Sequence, residues 1–105
     1  MNNMATIQSQ LREMIGEVAY TPNQIADMLT HMDLGMYASP ERIRIYVRKH
    51  DLLVDLEKVG VQPSRKSRTT CLVPKSNLVQ IIEGMHIPAT EKNFEDAAYA
   101  LGYQL

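Results

Sequence analysis

The residues with the most chemical promise lie between Ala38 and Leu53, in the stretch ASPERIRIYVRKHDLL. Arg44 and Arg48 fall four apart, with Arg42 and Lys49 beside them, and residues four apart share one face of a helix. A guanidinium fork matches phosphate oxygens and the acceptor edge of guanine, so such a face suits a phosphate-lined groove. Arg42, Arg44 and Arg48 are the candidates for phosphate or guanine contacts, with Tyr46 and Lys49 set against the nucleic-acid backbone. A solvated surface helix has the same pattern, so the remainder of the chain must decide between the two.

No catalytic or metal-binding pattern competes with this reading. His31, His50 and His86 lie far apart, without H-x-x-H or H-E-x-x-H spacing, and Cys71 has no neighbouring His. There is no Gly-rich phosphate loop and no G-x-S-x-G elbow. The Glu95-Asp96 pair stands near an expected helix start, where the helix dipole accounts for it. His50, ending the basic stretch, fits a helix-terminal partner or a further phosphate contact better than a base. The expectation is a protein that is not an enzyme, with no catalytic residues, no cofactor and no metal.

Bulk properties bound the rest. The 105 residues are 45% hydrophobic, which is enough for one domain with a modest core over 1–105. With no Trp and a single Phe, that core must rest on Leu, Ile, Val, Tyr and some of the seven Met. No apolar run approaches the ~18 residues of a membrane span, and no secretory pattern opens the chain. The lone Cys71 has no disulfide partner, so a reducing cytoplasm is the expected compartment. The net charge is −1, yet it is unevenly spread. From Pro40 to Lys75 nine cations face four acids, while the remaining chain holds two cations and eight acids. A basic middle of this kind can bind a polyanion through one face.

The elements that must position these residues follow from caps and periodicity. Ile7, Leu11, Met14, Ile15 and Val18 predict a helix from about Thr6 to Val18, its end loosened by Gly16, and that helix packs on the core or forms a coiled or swapped dimer contact. Thr21-Pro22-Asn23-Gln24 is a capping-box start for a helix to about His31, with Ile25, Met28, Leu29 and Met32 inward. Asp33 to Tyr37 is a turn. Ser39 and Pro40 open the basic helix over 40–49, with Ile43 and Val47 inward and Tyr46 and Ile45 flanking them. Two short helices around a turn, the second one basic, make a helix-turn-helix layout.

Beyond His50 the pattern turns β-prone. Strands near 54–59 and 69–73 are expected to form a hairpin, a wing over 60–70 whose tip Ser64-Arg65-Lys66-Ser67-Arg68 carries three cations. Pro74 is expected to open a helix containing Leu78, Val79, Ile81 and Ile82, with Gly84 as its stop. After a linker, Thr90 caps a last helix whose inner stripe is Phe94, Ala97, Ala98 and Leu101, closed by Gly102.

This order of elements resembles the winged helix-turn-helix DNA-binding domain of MerR-type regulators and the related phage excisionases. The resemblance covers about residues 20–84. It rests on TPNQIADML (Thr21–Leu29), SPERIRIY (Ser39–Tyr46), Asp51-Leu52-Leu53, a basic wing ending in Cys71-Leu72-Val73-Pro74, and PKSNLVQII (Pro74–Ile82). In the family the second helix carries a Ser cap and an Arg-x-Tyr step, which Arg44 and Tyr46 match, and Arg68 stands where a wing Arg is expected. The chain departs from the family in a longer first turn, in His50-Asp51 where a Gly is usual, and in a longer wing carrying Pro63. The flanks 1–19 and 85–105 match no part of the pattern. With no long dimerising coiled coil and no effector domain in view, the resemblance favours an excisionase-like or accessory role.

The fold expected is therefore mainly α with a small β-hairpin wing, a winged helix-turn-helix core over 20–84 with additional helices in 1–19 and 85–105. Its expected function is sequence-specific binding of double-stranded DNA, in transcriptional or recombination control. The helix 40–49 enters the major groove, while Arg65, Lys66 and Arg68 of the wing hold flanking phosphates. A homodimer fits this picture, and a membrane association does not. The rival expectation is a protein-interaction module on the same fold, binding a host or partner protein through the Met-rich first half and the acidic flanks.

Overall fold

A computed structural model describes residues 12–13, 16–54 and 71–103. Among them the chain forms four α-helices and a small two-stranded antiparallel sheet. Helix α1 spans Pro22–His31 and α2 spans Pro40–Lys49, joined by a 3-10 turn at Gly35–Tyr37. Helices α3 (Leu78–Gly84) and α4 (Glu91–Ala100) follow the return of the chain at Cys71.

The helix starts obey local chemistry. The Thr21 side chain accepts from the Gln24 N–H while the Gln24 side chain accepts from the Thr21 N–H, a reciprocal cap. Thr90 and Asn93 repeat the arrangement at α4. Ser39 accepts from the Arg42 N–H at 3.3 Å, and Pro40 occupies the first helical position of α2.

The helix ends share one device. The N–H of Leu34 donates to Leu29, Leu52 to Val47, Ile87 to Ile82 and Tyr103 to Ala98, each closing the last turn of its helix. In every case the preceding residue is left-handed: Asp33 (φ 62), Asp51 (φ 54), His86 (φ 55) and Gly102 (φ 79). These are Schellman closures, and the residue after each one turns its side chain onto the core. Gly84, expected to stop its helix, is instead the last helical residue, and His86 takes the left-handed position.

Helices of seven to ten residues are marginal in isolation, so packing must hold them. Ile25, Met28 and Leu29 of α1, Ile43 and Val47 of α2, Leu78 and Ile81 of α3, and Phe94, Ala97 and Ala98 of α4 form one apolar cluster. Burying each large aliphatic side chain contributes about 1.5–3 kcal/mol. Among the described residues no polar or charged residue is buried.

Three expectations change. The strand at Val73–Pro74 (β2) pairs with Ala19–Tyr20 (β1), in the register Ala19 with Pro74 and Tyr20 with Val73, a partner that was not expected. The expected first helix therefore cannot reach Val18: Gly16 is left-handed, and the Val18 carbonyl accepts from the Lys75 N–H in continuation of the sheet. Of the expected hairpin, residues 55–70 lie outside the described residues. At its base the Val54 N–H donates to the Leu72 carbonyl at 2.8 Å. Nor does Pro74 open a helix; its ψ is 144°, and a 3-10 turn at Lys75–Asn77 precedes α3. Glu17 sets that offset, its carboxylate accepting from both the N–H and the hydroxyl of Ser76.

Candidate nucleic-acid interface

At about 100° per residue, burying Ile43 and Val47 sends Ile45 to the opposite side of α2. The structure agrees, leaving Ile45 61% exposed rather than flanking the core. Around it stand the cations. Arg42, Arg48 and Lys49 are exposed and Arg44 is half-buried. They divide between two flanks of the helix. Arg44 and Arg48 lie toward the strand side, where they face the Cys71 thiol. Burial pushes the Cys71 pKa up, against the opposing pull of the Arg48 and Arg44 charges and a hydrogen bond from Arg48. Arg42 and Lys49 lie on the other flank with Tyr46.

Tyr46 is half-buried and seats the helix. Its ring stacks with the His50 imidazole, centroids 4.2 Å apart, and its hydroxyl reaches the Gln80 carbonyl at 3.5 Å. The ring lies so close to α3 that a Cβ on Gly84 would collide with the phenol. Glycine at 84 therefore serves close approach and not helix termination. The Asn77 side chain donates to the Leu52 carbonyl at 2.9 Å, tying the other end of α3 to the end of α2. These contacts hold the cation-bearing helix at a set angle on its support.

Between α2, the 3-10 turn and the α3–α4 turn runs an open groove of about 620 Å³. Met36, Tyr37, Ile45 and Met85 supply apolar lining, while Arg42, Lys49, His50 and His86 supply positive charge or N–H donors. Among the described residues no carboxylate lines it. Met36 is 81% exposed at its mouth.

The structure thus brings Arg42, Arg44, Arg48 and Lys49 together on one helix and assigns Tyr46 to its seating. The wing cations Arg65, Lys66 and Arg68 lie outside the described residues. Sequence reasoning missed Ile45, though its offset of two from Ile43 was a sufficient signal. It also missed Met85 and His86, which reach the groove only through the tertiary packing of α3 on α2. Elsewhere Lys75 pairs with Glu95 at 3.5 Å, which removes it from the basic set. No group of three or more His, Cys, Asp or Glu side chains comes together among the described residues. No helix among them is long and apolar enough to cross a membrane. Compared with known proteins, the chain matches no family model, no curated protein and no solved structure.

Proposed function

We propose that this protein binds double-stranded DNA as a winged helix-turn-helix module, with α2 in the major groove. The observation that carries the reading is the outward face of α2. Four cations flank a single exposed Ile45 on a helix held rigidly by α1 behind and α3 beside it. In this reading Arg42 and Arg48 reach phosphates or guanine edges, and Ile45 meets a thymine methyl. Arg44 and Lys49 add charge from the two flanks, and Tyr46 fixes the docking angle. The chain departs at Val54 and returns at Cys71 beside Arg44 and Arg48, which supports a wing on that flank. Arg65, Lys66 and Arg68 would then add contacts to the flanking backbone. The role is transcriptional or recombination control, without chemistry of its own.

Fluorescence anisotropy of a labelled mixed-sequence duplex, titrated at several salt concentrations, tests this. Neutralising about four phosphates gives a log–log slope near −3.6, and Arg42→Ala/Arg48→Ala should flatten it by about 1.8. No binding at low salt by protein with an intact circular dichroism spectrum would sink the reading.

A further inference from the structure

The groove beside α2 has a composition that duplex DNA alone does not account for. Its lining is thioether, isoleucine and tyrosine, while its charges are Arg42 and Lys49 with two imidazoles alongside. Methionine surfaces suit apolar anchors because the thioether adapts to their shape. A rim that is cationic with no facing carboxylate selects an acidic ligand and disfavours a basic one. The groove stands partly open to solvent, whereas a small-molecule site encloses most of its ligand. We propose that it docks an acidic segment of a partner protein, presenting apolar anchors to Met36, Ile45 and Met85 and carboxylates to Arg42 and Lys49. Because Arg42, Ile45 and Lys49 also belong to the DNA-facing side of α2, the partner and DNA exclude one another. That exclusion rests on the DNA reading; the docking site itself does not. An acidic partner would then release the protein from DNA by occupying its recognition helix.

The probe is a synthetic amphipathic peptide, about fifteen residues long, with Leu at i, i+3, i+4 and i+7 and Glu elsewhere on its polar face. Its control has Lys in place of every Glu. Binding to the full chain is read from the Met36 and Met85 methyl resonances and by displacement of a labelled duplex. The expected result is saturable movement of both methyls by the acidic peptide, at least about tenfold tighter than by the control. Met36→Ser, at an exposed position outside the DNA-contacting set, should weaken the peptide by about threefold and leave duplex affinity unchanged. Equal binding of the two peptides, unmoved methyls, or methyls moved by duplex and not by peptide would each overturn the docking site. Peptide binding in a protein that ignores DNA would uphold the site and remove the DNA reading and the exclusion with it.

Discussion

Helices α2 and α4 are built to one plan and carry opposite charge. Each has ten residues, opens on an extended Ser or Thr cap, buries one narrow apolar stripe, and ends on a left-handed residue followed by a core side chain. On its solvent side α2 carries four cations against Glu41, whereas α4 carries Glu91, Glu95 and Asp96 against Lys92. The α4 charges are partly spent within the molecule, since Lys92 pairs with Asp96 and Lys75 with Glu95. Such exposed pairs contribute little to stability. Folding needs the stripe and the caps in both helices and is indifferent to the sign outside, so the contrast in charge bears on the proposed binding and not on the fold.

The largest test of this pairing targets what α2 has and α4 lacks, a glycine contact to its neighbour. Gly84→Ala should destabilise the protein by about 1–3 kcal/mol in urea denaturation, because the new methyl meets the Tyr46 ring. In a Tyr46→Ala background the same change should turn stabilising by up to about 1 kcal/mol, since alanine is the better helix former. Additive effects would show that the ring moves aside at no cost.

The caps offer a finer comparison. Thr90 closes two hydrogen bonds at α4, while Ser39 closes one longer bond at α2. Thr90→Ala combined with Asn93→Ala, which removes both bonds, should cost about 1–2 kcal/mol and Ser39→Ala about 0.5–1, read from denaturation midpoints. A reversed order would mean that Ser39 matters to more than its helix start.

The smallest effect concerns the end of α4. Tyr103 donates its hydroxyl to Asp27 at 3.0 Å and tilts its ring against Tyr20. Burial foremost, then the hydrogen bond to Asp27 and its charge, push the Tyr103 pKa up to about 12. A raised phenol pKa adds stability that is complete below about pH 10 and fades as pH climbs through about 12. Thermal melts from pH 9 to 12 should show that decline, and Tyr103→Phe should make it shallower. Some decline will remain, because Tyr20 is shifted the same way by burial and by Glu95.

What could be read in the chain beforehand tracks how local its cause is. Thr21, Ser39 and Thr90 announce helix starts because a cap and its target lie three residues apart. The endings did not announce themselves. Asp33, Asp51 and His86 turn left-handed because Leu34, Leu52 and Ile87 are drawn onto a core assembled from distant segments. Pro74 misled for a similar reason: its fixed φ suits a helix start or a strand end equally, and pairing with Ala19 decides. That Arg42, Arg44, Arg48 and Lys49 would share the helix 40–49 was legible from spacing alone. Its seating by Gly84 and the groove with Met85 and His86 were not, since both arise only where α3 meets α2.

The recurrent helix ending also bears on how readily this protein can change. Three of its four closures place a side chain where glycine would be relaxed, and a non-glycine residue there costs on the order of 1 kcal/mol. All three of these residues are exposed, so glycine could replace any of them without disturbing the core. The fold thus sits below the stability its own topology permits. Glycine at these three positions would raise stability and so widen the tolerance of the outward face of α2 to destabilising substitutions.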